Sequence, residues 1–371
     1  MEEVVQIIPF IKKQKIVYLV SLDKSQSPGV FKKVLGTVAG AEQAGYSADT
    51  ILLDKKPGFL QQFVKEIDDF DGDVLIIRSL CQYNFYLIPA FRRAKARGMK
   101  IILDVPTPNT IAVRELADGS TSWMRKLKDL VYLILPGPVP YWYATKILQY
   151  AHEGSWFSFG NRKRTSFIGN GIHVASVPER AGVPVFDGSS LVLICVASLN
   201  YWHGVDRLIK AISIFNSEEN DLKVHLKVVG RGAVLANLVD LAESLGIQKS
   251  ISFLGFLEGE KLYKEYETAH MAVGSLALFR KNLKSASELK AREYCAVGIP
   301  FIGVGEDPDF PGDTIFRIQL PNRENVDDLT DFFRNFSPKC LSFTPNQIRE
   351  YAWKQLDFSE KMKGILNAAE D

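Results

Sequence analysis

An alternation of short apolar runs and amphipathic helical stretches constrains the fold of this chain most, and it occurs twice. The apolar runs that predict strands in the first half are 15–22, 50–53, 74–78 and 100–103. Those in the second half are 191–196, 225–229, 251–253, 271–275 and 299–304. Helical patterns such as 30–41 and 205–215 lie between them. Strands that alternate with helices pair in parallel, so the pattern predicts an α/β protein.

The restart of the pattern after a loose stretch at 178–190 indicates two domains. At 371 residues the chain is long for one domain and sufficient for two. We therefore expect two Rossmann-like, doubly wound domains, at 1–180 and 181–345. Ligands bind beyond the carboxyl ends of parallel strands, so the two sheets should face each other across a cleft.

Charge is distributed unevenly along the chain. Residues 1–180 hold 24 Lys and Arg against 17 Asp and Glu, and the remainder holds 21 against 26. A net charge of only +2 and the absence of a recognition motif argue against nucleic acid as a partner. The four cysteines are scattered, and we find neither a signal peptide nor an apolar run of transmembrane length, so we expect a cytoplasmic protein. The acidic run at 68–73 is interpreted as a solvated turn and not a metal site, because it lacks the Glu of a calcium loop.

The segment SASELKAREYCAVGIPFI, residues 285–302, reads as loop, helix, glycine stop and strand. Ser285 or Ser287 is expected to cap the helix. Lys290 and Glu293 are three residues apart and so share one helix face. A cation at a helix N-terminus is unfavourable unless an anion binds there, so the pair indicates a phosphate.

Three further loops follow strands of the second half. The first, SLNYWHG, places His203 and Gly204 at a helix start, where they can face a phosphate, although packing of the loop by Trp202 and His203 is the alternative. The second, VGRG at 229–232, is a short glycine signal that lacks the third glycine of a dinucleotide fingerprint. The third, FLGFL at 253–257, offers backbone groups to a base.

The ordered set HG, DRLIKAI, VVGRG, ISFLGFL and LKAREYCAVGIPFI resembles glycosyltransferase family 4, which has the glycosyltransferase-B (GT-B) fold. The resemblance covers most of residues 190–305. FIGNGI at 167–172 looks like the turn that ends the family's first domain. REYAWKQLDFSEKM at 349–362 looks like its last helix, so residues 346–371 are expected to cross back onto the first domain.

The resemblance implies a role for each matching residue. Lys290 and the backbone amides of Leu289 and Lys290 would hold the donor phosphate, and Glu293 would accept hydrogen bonds from the ribose. An internal helix salt bridge is the alternative for the Lys290–Glu293 pair. The remaining residues expected to line the donor site are Gly29, Ser198, His203, Gly204, Gly230, Arg231, Gly255, Phe256, Ser285 and Ser287.

The sequence departs from the family pattern at three points. Of the family's two glutamates, Glu293 matches the second, whereas the first falls on Ser285. The donor-loop Arg and Lys map near Ser198 and His203. No histidine occurs before residue 152; DVPTPN stands there instead. We therefore expect Asp104 to act in catalysis and, with Thr107 and Asn109, to contact the acceptor. Capping of the turn by Asp104 is the alternative.

These observations lead to a functional hypothesis. The resemblance implies a retaining, metal-independent glycosyltransferase with a nucleotide-sugar donor, UDP-linked by default, and a glycan acceptor. The acceptor would be a lipid-linked intermediate of a bacterial surface polysaccharide. A sugar-nucleotide epimerase or phosphorylase of the same fold, or a non-catalytic two-lobed sugar-binding protein, is the alternative.

Basic residues stand beside apolar ones in WMRKLK at 123–128 and at Arg162–Arg164. Such segments can rest on an anionic membrane, which suits a polyprenyl-diphosphate-linked acceptor and a peripheral position on the inner membrane. An ordinary amphipathic helix followed by a buried one is the alternative.

Overall fold

The computed structural model describes residues 13–24, 27–118, 122–152, 156–312 and 314–367. It contains two parallel sheets of six strands each, with helices on both faces. The predicted α/β class and the doubly wound arrangement are confirmed.

The first sheet has the strand order β2-β1-β3-β4-β5-β6. Tyr18, on the second strand in this order, lies opposite Thr50 on one side and Ile76 on the other. The elements of this half are β1 Lys15–Ser21, α1 Pro28–Gln43, β2 Ser47–Leu53, α2 Phe59–Asp69, β3 Val74–Arg78, α3 Ile88–Ala96, β4 Lys100–Val105, α4 Asn109–Asp118, α5 Trp123–Ile134, β5 Lys146–Gln149 and β6 Thr165–Phe167.

The second sheet has the order β12-β11-β10-β7-β8-β9. Its order reverses between β10 and β7, which is where a doubly wound sheet opens a crevice. The elements are β7 Ser190–Val196, α6 Val205–Ser217, β8 Lys223–Val229, α7 Leu235–Ser244, β9 Ile251–Gly255, α8 Glu260–Glu267, β10 Met271–Val273, α9 Leu289–Val297, β11 Phe301–Val304, β12 Arg317–Leu320, α10 Asp327–Arg334, α11 Pro345–Tyr351 and α12 Phe358–Asn367.

Both sheets bury continuous apolar runs because helices cover both of their faces. Val17, Leu19, Leu75 and Ile77 pack on one side of the first sheet. The alternate residues, such as Tyr18 and Ile76, pack on the other. This two-sided burial explains why inner strands such as β3 appear in the sequence as unbroken apolar runs.

The end of the chain returns to the first sheet. Met362 and Leu366 of α12 lie in the same apolar cluster as Tyr18. Phe358 packs so closely on α1 that a Cβ at Gly36 or Gly40 would come within 2.5 Å of it. The prediction of one helix over 349–362 is wrong, because a π turn at Ala352–Leu356 and Asp357 separate α11 from α12.

The break between α11 and α12 has a structural cause. The amide of Ile172 donates to the carbonyl of Leu356, and the amide of Phe358 donates back to the carbonyl of Ile172. Asp357 accepts hydrogen bonds from the amides of Val174 and Ser359. The chain therefore leaves the helix to pair with the segment that joins the two sheets.

Candidate active site

Helix α9 begins at the crevice of the second sheet, and the carboxylate of its N-cap residue holds its N-terminus in place. Glu288 is the N-cap residue. Its carboxylate accepts from the amide of Ser275, at 2.9 Å, and from the Ser275 hydroxyl, also at 2.9 Å. This contact fixes the helix N-terminus to the end of β10. The prediction that Ser285 or Ser287 caps the helix is wrong.

The two serines have other partners. Ser285 is buried and forms a bridge to Glu306. Ser287 joins the two halves of the protein, since its Oγ accepts from the amide of Asn170 at 2.6 Å. Asn170 lies in the FIGNGI turn, and its side-chain amide donates to the carbonyl of Ser287. The turn that follows β6 therefore fixes the loop before α9.

Lys290 occupies the first turn of α9 as a largely buried cation. Its side chain is 12% exposed, and Nζ lies 3.5 Å from a carboxylate oxygen of Glu288. Within the part of the chain that the structure describes, this ammonium makes no hydrogen bond. Burial of an ammonium whose N–H groups make no hydrogen bond is energetically unfavourable unless a ligand accepts those hydrogen bonds. The position of Lys290 therefore suits an anion.

His203 adds to the polar surroundings of Lys290. Its Nδ1 accepts from the amide of Asn200 at 3.1 Å. Burial, reinforced by the charges of Lys290 and Lys281, lowers the pKa of His203 to about 2. The imidazole is therefore neutral, and with Nδ1 accepting, its proton is on Nε2. Lys281 lies over the Trp202 ring at 4.3 Å and reaches Glu115 of the first half at 2.7 Å.

Glu293 lies one turn further along α9, partly buried in the cleft. Tyr266 Oη lies 3.5 Å from its carboxylate. Burial raises the pKa of Glu293, and the charge of Lys32 on α1 opposes this. Glu293, Leu289 and Lys32 line a cavity of about 420 Å³ between the two sheets. The cleft predicted between the domains thus contains the predicted Lys290–Glu293 helix on one wall.

Gly29 begins the opposite wall of this cavity. A Cβ at Gly29 would lie 3.7 Å from a methyl group of Leu289, so the first turns of α1 and α9 approach closely. Lys32 and Tyr263 also line the cavity. Sequence analysis missed both. Only the position of Lys32 one turn after Gly29 hinted at its location.

The glycine loops of the second half pack against each other. A Cβ at Gly230 would lie 1.9 Å from the carbonyl oxygen of Ala197, so only glycine fits there. Gly230 also has a φ of 136° and donates to the carbonyl of Gly255. Arg231 lies over the Phe256 ring at 5.0 Å, and this ring is 45% exposed. Ser198 is exposed on the neighbouring loop, and Gly204 adopts a φ of 67° at the start of α6.

Asp104 lies inside the first domain at the end of β4 and is 1% exposed. Its carboxylate pairs with Lys33 at 3.2 Å and Arg78 at 3.1 Å, and it accepts from the Tyr18 hydroxyl. Burial opposes the charged form, but the two cations outweigh it and hold the pKa of Asp104 at about 2. Burial also lowers the pKa of Lys33 to about 8, against the effect of Asp104. These partners are all protein groups, and a substrate contact by Asp104 stays a prediction.

The other two predicted acceptor residues follow β4. Asn109 is buried, and its side-chain oxygen accepts from the Tyr141 hydroxyl at 2.8 Å. Thr107 is partly buried in the turn before α4. Contact of either residue with an acceptor also stays a prediction.

Comparison with known proteins shows a similarity in the second half of the chain. Residues 178–304 match the family model described as glycosyl transferases group 1. An uncharacterized glycosyltransferase of Methanocaldococcus jannaschii is 32% identical over 94 residues. That alignment covers 25% of this chain and 23% of the archaeal protein's length.

The whole fold matches solved glycosyltransferases. The apo form of the lipopolysaccharide outer core galactosyltransferase WaaB superimposes with a TM-score of 0.63 at 12% identity, covering 95% of this chain and 98% of WaaB. A glycosyltransferase of Rickettsia africae gives 0.62 at 13% identity, covering 97% and 98%. Anabaena HepE, solved in complex with UDP-glucose, gives 0.59 at 13% identity, covering 96% and 100%.

The fold is that of the GT-B glycosyltransferases, with two parallel sheets facing across a cleft. Within that fold, residues 178–304 match the model of glycosyl transferases group 1, and this match includes the whole of α9. By this match the second half of the chain is similar to transferases, and the chain as a whole has the GT-B fold.

Proposed function

We propose that the protein transfers a sugar from a nucleotide-sugar donor to a glycan acceptor, with the donor diphosphate at the N-terminus of α9. The observation that carries the proposal is the Lys290 ammonium, buried in the first turn of the helix without a hydrogen bond among the described residues. The amides of Leu289 and Lys290 begin the helix and have no carbonyl one turn before them. Amides and ammonium together form an anion site facing the cleft.

In this proposal Lys290 and Glu293 bind different parts of the donor, the diphosphate and the ribose. Departure of the nucleotide diphosphate develops negative charge on its phosphate oxygens, and prealigned donors stabilise that charge in a water-poor cleft. Lys290, the helix amides and the neutral His203 supply these donors. Glu293, one turn further, accepts hydrogen bonds from ribose hydroxyls, and the exposed ring of Phe256 offers a surface for the base.

We propose that transfer proceeds with retention and without a metal. The positive charge that a metal would supply at the diphosphate is provided here by Lys290 and the start of α9. On the retaining path the leaving phosphate accepts the acceptor proton on the same face of the sugar, so no separate protein base is required. Uridine is proposed as the base, which is supported by the complex of the similar Anabaena HepE with UDP-glucose.

The proposed acceptor is a lipid-linked glycan met at the cytoplasmic membrane face, which is supported by the surface of α5. This helix buries Asp129 and Leu133 and turns apolar residues outward, with Trp123 71%, Met124 64% and Leu127 55% exposed. No helix among the described residues has the length and apolar character needed to cross a bilayer. An outward apolar face of this kind lies in the membrane interface.

The apolar face of α5 continues into exposed aromatic rings flanked by cations. Trp156 donates to the carbonyl of Ile134 at 3.3 Å and stacks on Phe159. The basic turn Arg162–Arg164 follows, and Lys128 projects from α5 itself. Aromatic and basic side chains beside an apolar face complement an anionic lipid surface. We therefore propose a peripheral position on an anionic membrane.

Thermal denaturation with UDP, GDP, dTDP and ADP tests the donor site. One nucleotide should raise the melting temperature of the wild type by a few degrees at saturation, because a ligand of the native state stabilises by mass action. The variant Glu293→Ala should lose the shift, and Glu267→Ala, an exposed carboxylate on α8, should keep it. No shift with any nucleotide would contradict the proposal and favour a non-catalytic sugar-binding protein.

A further inference from the structure

A second hollow lies at the carboxyl ends of β1 and β3, apart from the cleft cavity. Its volume is about 340 Å³, and it shares no lining residue with the cavity next to Glu293. All of its lining residues belong to the first half of the chain. They include Ser21, Lys55, Phe59, Arg78, Tyr83 and Arg125. None of these residues was assigned a role above in binding donor or acceptor.

The charge of this hollow is of one sign. Lys55, Arg78 and Arg125 line it, and no carboxylate does. Arg78 forms an ion pair with Asp104 at 3.1 Å, and Arg125 lies 4.0 Å from the carboxylate of Asp129. Among the described residues no carboxylate lies within ion-pair distance of Lys55. Three cations around one concave space attract an anion, and the low-dielectric wall strengthens that attraction.

Ser21 supplies an independent observation. The residue is only 9% exposed, and its hydroxyl has no hydrogen-bond partner within the described residues. Buried hydroxyls are nearly always paired, since an unpaired one costs stability. Ser21 lines the hollow. An anion oxygen bound there would accept a hydrogen bond from this hydroxyl.

We propose that this hollow binds a phosphate group of the acceptor. A phosphate presents several acceptor oxygens and up to two charges, which fits three cations and a free hydroxyl. Phe59 and Tyr83, in edge-to-face contact at 5.9 Å, offer an apolar wall for the adjoining sugar. The assignment to the acceptor rests on the proposed glycosyl transfer, whereas the anion site itself does not depend on it.

The location of the hollow is consistent with an acceptor on a lipid carrier. Arg125 belongs to the first turn of α5, the helix whose outward face is apolar. Arg78 ends β3, and the carboxyl ends of the strands are the edge of the sheet that faces the cleft. A phosphate held between these two residues would lie between the proposed membrane surface and the donor. The same chemistry would also fit a soluble phosphomonoester.

Calorimetric titration with inorganic pyrophosphate tests the site. The titration is made on Lys290→Ala protein, in which the donor phosphate site is removed, so that the remaining binding reports on the hollow. Adding Lys55→Gln or Arg125→Gln should weaken the remaining binding about tenfold each, the effect of one lost charge-assisted contact. Adding Lys56→Gln should change it less than twofold, because Lys56 is exposed and paired with Asp54.

Ser21→Ala provides a variant that should fold. Removing an unpaired hydroxyl should leave the melting temperature equal or higher, while pyrophosphate affinity falls severalfold. Equal affinity in all these variants, or no pyrophosphate binding in Lys290→Ala protein, would overturn the site. Neither outcome bears on the donor site, which the nucleotide shift of the wild type reports separately.

Two further titrations distinguish the source of the phosphate. Flotation with phosphatidic acid vesicles, against phosphatidylglycerol vesicles, measures a headgroup monoester. Titration with glycerol 3-phosphate measures a soluble one. If Lys55→Gln weakens binding only to phosphatidic acid vesicles, the phosphate belongs to a lipid headgroup. If it weakens binding only to glycerol 3-phosphate, the phosphate belongs to a soluble ligand. No loss with either contradicts the proposal.

Discussion

The guanidinium of Arg292 is fully buried against the carboxylate of Asp307, with Nη2 2.6 Å from Oδ1. The same nitrogen lies 2.5 Å from Asp309, and Nε donates to the carbonyl of Asn170 at 3.0 Å. Arg292 stands on α9 between Lys290 and Glu293 in sequence, and its ion pairs hold this helix to the loop after β11. Glu293 of the same helix lines the cavity between the two sheets.

Arg292→Met should destabilise the protein by about 3–5 kcal/mol, because it leaves the buried carboxylate of Asp307 without its cation and leaves Asp309 with Lys361 alone. Urea denaturation measures this. The matched control is Arg323→Met, whose side chain is 62% exposed and whose pair with Asp328 should contribute less than about 1 kcal/mol. Equal midpoints for the two variants would show that the buried pair does not hold α9.

Lys290→Met should remove diphosphate binding without weakening the free protein. The ammonium makes no hydrogen bond in the described structure, so its loss should leave the melting temperature equal or higher. Affinity for the preferred nucleoside diphosphate should fall about 10- to 100-fold, the effect of lost hydrogen bonds to a charged group. Calorimetry measures this, with the exposed Lys284→Met as control. Unchanged affinity would place the diphosphate elsewhere.

Protonation of His203 should make the protein acid-sensitive. Its pKa is about 2 in the folded state and near 6.5 in the unfolded chain, so below pH 6.5 the unfolded state binds more protons. Stability should therefore fall as the pH falls, by up to about 1.4 kcal/mol per unit from this residue. Urea midpoints between pH 7 and 5 should fall less steeply for His203→Gln than for the wild type. Parallel pH profiles would mean that the ring titrates normally.

Asp104→Asn should cost roughly 3 kcal/mol, because it leaves Lys33 and Arg78 buried without their carboxylate. The folded pKa of Asp104 is about 2, below the value of about 3.9 expected when unfolded, so its contribution is complete above that value and is lost as the pH falls toward 2. Urea midpoints at pH 7 and pH 3 should differ less for Asp104→Asn than for the wild type. The exposed Asp71→Asn is the control, and an equal loss there would contradict the role of the cluster.

Leu127→Glu with Val131→Glu should reduce binding to anionic vesicles at least tenfold, because each buried aliphatic side chain contributes about 1.5–3 kcal/mol. Both residues face outward on α5, so the melting temperature should be unchanged. Flotation with phosphatidylglycerol vesicles measures this at low and high salt. The control is Leu245→Glu, an exposed leucine after α7. Equal flotation of the two proteins would rule out this face as the membrane surface.

The sequence predicted one face and the end of α9 but not its N-cap. The three-residue spacing placed Lys290 and Glu293 on one face, and glycine predicted the end of the helix at Gly298, as found. Glu288 was missed as the N-cap because its partner is Ser275, in the loop after β10 and outside the helix's own local sequence. A serine caps a helix through a local hydrogen bond, whereas here the nearby serines bind Asn170 and bridge to Glu306.

The shortest strands and α5 show the limits of periodicity. The strands β5, β6 and β12 were not predicted, since three or four residues give little pattern. The apolar stripe of α5 was equally compatible with burial or exposure, because a helical period does not say which side faces the protein. Only the tertiary packing, which buries Asp129 and Leu133, decided that the rest of the stripe faces out.

The sequence by itself determined what local pattern encodes: two series of buried parallel strands, the glycine-ended helices between them, and a cation and a carboxylate one turn apart on α9. The tertiary structure decided what depends on partners distant in sequence. It placed Asp104 among Lys33, Arg78 and Tyr18, turned Arg292 toward Asp307, and grouped Ser21, Lys55 and Arg125 around one hollow. Spacing along a helix fixes which residues share a face, but burial and pairing of charge are set only when separate strands and helices meet.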